Sequence, residues 1–140
     1  MRLIRTPSKK IISQIEKPEK PFMKRLYSLK YAYQGIHSMV SEEPNAKIHL
    51  AAAILVVIAG LCFDISTTEW LFVVLSIGWV ISLELLNTAL EQMADFVHTE
   101  KNEYIKKIKD LAAGAVLVSA ICAFIVALII FVPKIINNYI

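Results

Sequence analysis

Three long apolar stretches divide the chain, with charged residues before and after each. Residues 48–63 carry one polar side chain, His49, residues 70–83 are uncharged, and residues 111–132 form an uncharged run. A helix needs about 20 predominantly apolar residues to cross about 30 Å of hydrocarbon. Together with the apolar residues next to these runs, the pattern predicts an all-α membrane protein with spans at about 46–63, 70–97 and 110–132.

A different pattern precedes the first span. Between residues 22 and 40, apolar side chains recur at alternating steps of four and three, which keeps them within about 80° of one helical face. Cations beside this stripe suit the membrane surface, where anionic headgroups attract lysine and arginine. We therefore predict an amphipathic surface helix over residues 22–41; the alternative is that its stripe packs on other helices of the bundle. The stripe consists of Phe22, Leu26, Leu29, Tyr33, Ile36 and Val40.

The second span contains a polar face. Apolar residues continue beyond Glu84 to residue 97 at helical spacing, so the carboxylate lies inside the helix. Asn87, Glu91 and Asp95 follow at steps of three, four and four, within a sector of about 80°. Ionisable groups at depth in lipid cost a few kcal/mol each, so this face predicts a protein-lined or wet cleft. The alternative is a polar contact between helices that fixes the geometry of an oligomer.

Carboxylates in such a cleft suit two chemical roles. A few hard oxygen ligands hold Mg²⁺ and leave positions for phosphate and water, and a further carboxylate can accept a proton from an alcohol. Glu84 and Glu91 are about 10 Å apart along the helix axis, too far to chelate one ion together. Glu91, nearer the lysine-rich loop predicted over residues 98–110, is the better metal ligand, and the deeper Glu84 is the better base.

Two further clusters lie at the same end of the spans. Glu43, just before the first span, supplies a second carboxylate that can complete a metal site. Lys109 opens the third span and can meet phosphate as a point charge. Asp110 either belongs to the same site or is the N-cap of the third helix.

Composition and the distribution of charge predict how the protein is oriented in the membrane. The chain is 56% hydrophobic and 19% charged, which is too apolar for an ordinary water-soluble domain. Ten of its lysines and arginines precede residue 48 and four lie in segment 98–110, whereas segment 64–69 has none and the end of the chain has only Lys134. Cationic loops stay in the cytoplasm, so we predict a cytoplasmic amino terminus and an outer carboxyl terminus.

The first 21 residues have a character of their own. They hold six cations and three prolines without an apolar core of signal-peptide length. We predict a flexible basic tail over residues 1–21, suited to lipid headgroups, followed by an integral-membrane domain over residues 22–134. We expect no nucleic acid among its partners.

Three motifs in the predicted membrane domain resemble one family. The sequences EPNAKIH (43–49), ELLNTALEQMAD (84–95) and KDLAAGAV (109–116) are similar, in order and spacing, to those of the prokaryotic diacylglycerol kinase family. This family comprises small three-span lipid kinases and includes undecaprenol kinases. The resemblance covers about residues 24–132.

The resemblance implies an activity and a set of site residues. It implies ATP-dependent phosphorylation of a lipid alcohol in the bacterial inner membrane, by a homotrimer whose active sites are shared between subunits. Glu84 takes the place of the catalytic base with Asn87 beside it, and Glu43 and Glu91 take the places of the Mg²⁺ ligands, which also contact the nucleotide. The remaining nucleotide-binding positions are Tyr31, Asp95, Glu100, Lys109 and Asp110.

The acceptor and one rival function stay open at this level. The segment Asn45 to His49 is more similar to the undecaprenol kinase branch, with diacylglycerol as the alternative acceptor. The rival from another class is a non-enzymatic oligomeric membrane protein or an ion pathway. Polar groups crowd at the cytoplasmic end and are scarce in residues 48–63 and 70–83, which favours a kinase over a pore.

Overall fold

Four α-helices account for nearly all of residues 21–97 and 102–139, the part of the chain that this computed structural model describes. The last three are long and apolar enough to cross a membrane, which confirms the prediction of an all-helical protein with three spans. The predicted tail lies outside the described residues except for Pro21, the first residue of α1. The helices are α1 (Pro21–Glu42), α2 (Pro44–Cys62), α3 (Thr67–Val97) and α4 (Glu103–Tyr139).

The chain divides between Gln34 and Gly35 into two compact units. In the first, the apolar side chains Leu29 and Tyr33 of α1 are exposed. In the second, α3 packs most extensively on α4, and α2 packs on α3.

A single residue separates α1 from α2. Glu43 has extended backbone angles (φ −95°, ψ 118°) and is the N-cap of α2, with Pro44 in the first turn. Proline disfavours the helical conformation in the residue before it and is well placed at a helix start, so this pair ends one helix and begins the next. Across the break, Lys47 Nζ donates a hydrogen bond of 2.9 Å to the carbonyl of Ser41. The local sequence therefore fixes the position of Glu43.

The turn from α2 to α3 is tight and capped. Asp64 adopts a left-handed conformation with φ 45°. The backbone N–H of Ser66 donates to Glu69 Oε2 at 2.6 Å, and the N–H of Glu69 donates to Ser66 Oγ at 3.3 Å. This reciprocal pair is a capping box, and it begins α3 at Thr67, three residues before the predicted start.

The start of α4 corrects one prediction. Segment 98–110 was expected to be a loop, but residues 103–110 are helical. Asn102 Oδ1 accepts hydrogen bonds from the N–H groups of Tyr104 and Ile105 at 2.9 and 3.4 Å. Asn102 is thus the N-cap, and the alternative that Asp110 caps the helix is wrong. Lysine and glutamate favour helices, so the charges of this segment are compatible with one.

The end of α4 also differs from the prediction, because the helix passes through Pro133 instead of ending near it. Proline removes one backbone hydrogen bond, and neighbouring groups can offset this loss in membrane helices. Here, contacts hold both sides of the proline. Phe131 meets the ring of Phe63 edge-on at 6.0 Å, and Lys134 Nζ lies 3.3 Å from Glu69 Oε2.

One cluster of buried apolar side chains in the second unit lies at the same end as the α2–α3 turn. It is centred on Ile65, Val73 and Ile130, with Trp70 among the side chains packed around it. Most other large apolar side chains of α2, α3 and α4 are exposed, as suits surfaces that meet lipid or other protein. The polar face of α3 therefore lies toward the opposite end of the bundle from this apolar cluster.

Gly60 gives a test of this packing. A Cβ atom there would lie 2.8 Å from Trp70 Cη2 and 3.0 Å from Ile65 Cδ1, so Gly60→Ala forces neighbours to move. We expect it to destabilise the fold by about 1–3 kcal/mol, as overpacking does. Gly78→Ala is the matched control, because nothing lies within 4 Å of its added Cβ. Thermal unfolding in detergent, followed by circular dichroism, measures both, and equal midpoints for the two variants would contradict this packing.

Candidate functional site

Three polar side chains on two successive turns of α3 are buried. Glu84 is 2% exposed, Asn87 6% and Thr88 5%. Asn87 and Thr88 lie three and four residues after Glu84, so one side of the helix carries all three. The helix thus presents a buried carboxylate, a carboxamide and a hydroxyl together. The other buried side chains of the described residues are apolar, apart from Ser119.

Hydrogen bonding extends this polar face toward the carboxyl end of α3. Asn87 Nδ2 donates to Glu91 Oε1 at 3.0 Å, and this bond orients the half-buried carboxylate of Glu91. Two buried atoms beside it, Asn87 Oδ1 and Thr88 Oγ1, have no hydrogen-bond partner among the described residues. The site therefore holds one oriented carboxylate and two unused polar atoms.

The beginning of α2 brings further charged groups to the face. Glu84 interacts electrostatically with His49 and Glu43 of α2, as well as with Glu91 of its own helix. Glu43 is half-buried at the break between α1 and α2. Two separate helices therefore place the carboxylates of Glu43, Glu84 and Glu91 in one electrostatic cluster.

The first turns of α4 supply the cation. Lys109 Nζ lies 2.9 Å from Asp95 Oδ1 and 3.2 Å from Asp95 Oδ2, a contact between residues 14 apart in sequence. Lys109 also interacts electrostatically with Glu91 and Glu43. Its side chain is 33% exposed and that of Asp95 is 68% exposed, so this pair marks the solvent-facing edge of the cluster.

The other predicted site residues have different outcomes. Asp110 is exposed on α4, next to Lys109 in sequence. Tyr31 is exposed on the part of α1 that belongs to the first unit. Glu100 lies outside the described residues.

The donor set can be compared with the needs of a metal ion. Among the described residues, no three histidine, cysteine or acidic side chains come close enough to form a complete metal site. Mg²⁺, however, is usually bound through one or two carboxylates, with substrate phosphates and water as the other ligands. The hard oxygens of Glu43 and Glu91 fit that pattern, and the hydrogen bond from Asn87 already orients Glu91.

An apolar cavity of about 130 Å³ lies between α2, α3 and α4. Val80 and His49 are among its lining residues, and Val80 precedes Glu84 by about one helical turn. This cavity is partly open to its surroundings, and apolar atoms form almost all of its lining. Its chemistry therefore suits a hydrocarbon chain.

Sequence reasoning missed one residue of the polar face. Thr88 was not among the predicted site residues, although its spacing of four from Glu84 places it on the same side of the helix. A lone threonine in an apolar helix gives no signal of its own. Only the burial and missing partner of its hydroxyl distinguish it.

The sequence is similar to those of known proteins over most of its length. The profile of the prokaryotic diacylglycerol kinase family matches residues 30–131. The undecaprenol kinase of Bacillus subtilis (strain 168) is 42% identical over 107 residues, covering 76% of this chain and 87% of that protein. The diacylglycerol kinase of a Synechocystis species is 34% identical, covering 80% of this chain and 65% of that protein. The diacylglycerol kinase of Escherichia coli (strain K12) is 26% identical, covering 68% and 78%. The chain therefore belongs to the prokaryotic diacylglycerol kinase family of membrane lipid kinases.

Proposed function

We propose that this lipid kinase transfers the γ-phosphoryl group of ATP to undecaprenol. The observation that carries the choice of acceptor is the 42% identity with an undecaprenol kinase, over 87% of that protein's length. The apolar cavity lined in part by Val80, one helical turn before Glu84, supports a hydrocarbon-chained substrate. Diacylglycerol is the second candidate acceptor, because relatives of 34% and 26% identity are diacylglycerol kinases.

Glu84 is the catalytic base in this proposal. Its carboxylate takes the proton of the lipid alcohol as the alcohol oxygen forms a bond to the γ-phosphorus. The bond from that phosphorus to the β,γ-bridging oxygen breaks, and the oxygen leaves with the electron pair as part of ADP. The products are the lipid phosphate, ADP and a proton, which Glu84 returns to solvent. Glu84 is only 2% exposed, and this burial keeps water from competing with the lipid alcohol as the acceptor of the phosphoryl group.

The nucleotide lies toward the solvent-facing edge of the cluster. Mg²⁺, when bound with ATP, offsets the charge of the phosphates, and Glu43 and Glu91 are the residues that would hold it. Lys109, steadied by Asp95 at 2.9 Å, directs a positive charge toward the phosphate chain. Asp110, Tyr31 and Glu100 complete the nucleotide-binding set on the strength of the family resemblance.

The distribution of charge and the exposed apolar side chains support a proposed arrangement of the protein in the membrane. The amino terminus is cytoplasmic, the carboxyl terminus is outside, and the amphipathic part of α1 lies on the cytoplasmic membrane surface. The protein is a homotrimer with active sites shared between subunits, and exposed apolar side chains on α2 to α4 supply surface for the contacts. A non-enzymatic oligomer or ion pathway is disfavoured by membership in a kinase family.

The test is transfer of labelled γ-phosphate by the purified protein in lipid micelles. Undecaprenol and diacylglycerol are offered in parallel with Mg²⁺ and ATP, and Glu84→Gln serves as the blank. We expect the larger kcat/KM with undecaprenol. A larger value with diacylglycerol would move the protein to the other acceptor, and no transfer to either by the folded protein would overturn the proposal.

A further inference from the structure

Thr88 keeps a buried hydroxyl without a partner. Its side chain is 5% exposed, and Oγ1 makes no hydrogen bond among the described residues. An unsatisfied buried polar group costs about 1–3 kcal/mol, so such groups are uncommon in native proteins and call for an explanation. Threonine in a helix often bonds a carbonyl of the preceding turn, and Thr88 does not use this option.

The position of Thr88 connects it with the reacting groups. It lies four residues after Glu84 and three before Glu91, so it stands between the proposed base and the proposed nucleotide end of the face. The carboxylates around it are acceptors only. Asn87 Nδ2, the neighbouring donor, is already bonded to Glu91. The Thr88 hydroxyl is therefore a buried donor without a partner among the described residues, beside carboxylates that cannot donate a hydrogen bond to an anion.

Of the two reactants, the phosphoryl group is the one that needs a donor here. Its three equatorial oxygens share negative charge in the transition state and only accept hydrogen bonds. The alcohol, in contrast, gives up its proton to Glu84. A preorganised donor aimed at developing charge in a water-excluded site is an effective source of catalysis.

We infer that the Thr88 hydroxyl donates a hydrogen bond to a γ-phosphoryl oxygen of ATP, which makes Thr88 a catalytic residue. The inference rests on the proposed function. The hydroxyl keeps its proton throughout, while the alcohol oxygen bonds to phosphorus, Glu84 takes the alcohol's proton, and ADP leaves with the electron pair. Bound ATP supplies the hydrogen-bond partner that Thr88 Oγ1 lacks among the described residues.

The experiment compares Thr88→Val, which replaces the hydroxyl with a methyl group of similar size, with Thr88→Ser, which keeps it. Thr68→Val is the matched control, because Thr68 is exposed at the opposite end of α3. In undecaprenol micelles we expect Thr88→Val to lower kcat by about 10- to 100-fold, the value of a hydrogen bond to a charged group. KM for undecaprenol stays unchanged, and Thr88→Ser restores most of kcat.

Nucleotide binding separates a catalytic role from a structural one. The affinities of Mg²⁺-ADP and of Mg²⁺ with β,γ-methylene ATP, a non-transferable analogue, are measured for each variant. Thr88→Val is expected to weaken the binding of the analogue but not of ADP, because ADP has no γ-phosphoryl group. The thermal midpoint is expected to stay equal or rise, since the variant removes an unpaired buried hydroxyl.

Several outcomes would overturn the inference. One is that Thr88→Val leaves both kcat and the affinity for the analogue unchanged. Another is that Thr88→Val lowers the affinities for ADP and for the analogue equally. The third is that Thr88→Ser fails to restore activity. Absence of lipid phosphorylation by the unmodified protein would instead overturn the proposed function. The comparison of ADP with the analogue still decides the role of Thr88 in that case.

Discussion

Glu84→Gln is expected to lower the rate of undecaprenol phosphorylation by about 10²- to 10⁴-fold, the usual contribution of a general base. Glutamine has nearly the shape of glutamate, but its carboxamide cannot take the alcohol's proton. Because Glu84 is almost fully buried, water cannot readily replace it as the proton acceptor. Binding of Mg²⁺-ATP is expected to survive, since the proposed metal ligands are Glu43 and Glu91.

Single-turnover transfer of labelled phosphate and equilibrium binding of nucleotide measure these two quantities separately. Asp64→Asn is the control, because it makes the same carboxylate-to-carboxamide change at the other end of the bundle. Asparagine also tolerates the left-handed conformation found at Asp64. Substantial activity in the Glu84→Gln protein would show that another group accepts the proton.

Glu91→Gln is expected to weaken Mg²⁺-ATP binding by at least about 10- to 100-fold, the loss that follows when even an outer partner of a metal ligand is removed. The variant removes a charge from the site with little change of shape. A glutamine oxygen at this position can still accept the hydrogen bond from Asn87 Nδ2, so the local structure should persist. The effect should therefore appear in nucleotide affinity and its Mg²⁺ dependence.

The matched control for this variant is Glu42→Gln. Glu42 is exposed and accepts a hydrogen bond from Ser38 Oγ at 2.8 Å, which glutamine can also accept. Titration of nucleotide at several Mg²⁺ concentrations compares the two proteins. If Glu84→Gln and Glu91→Gln lose nucleotide affinity equally, the division between base and metal ligand is wrong.

Much of the fold was predictable because the relevant signals are local. Apolar runs of membrane-spanning length must form helices, since lipid offers no partners for backbone N–H and C=O groups. Pro44 after Glu43 also marks a helix boundary from sequence alone. The errors arose at helix ends. The Ser66–Glu69 capping box and the Asn102 cap start their helices earlier than expected, and the contacts of Lys134 lie beyond the predicted end of the third span.

The sequence by itself determined the family and the alignment of Glu84, Asn87, Glu91 and Asp95 on one helical face, because the period of a helix relates sequence spacing to direction. The order along the helix also placed Glu84 deeper than Glu91, but tertiary structure alone decided how far each group is buried and which partners it has. Glu84 is 2% exposed, whereas the side chain of Asp95 is 68% exposed and paired with Lys109. The approach of Glu43 and the unpaired hydroxyl of Thr88 likewise arise in the folded chain. Burial and partners depend on how α2 and α4 pack on α3, and the spacing within one helix carries no information about its neighbours.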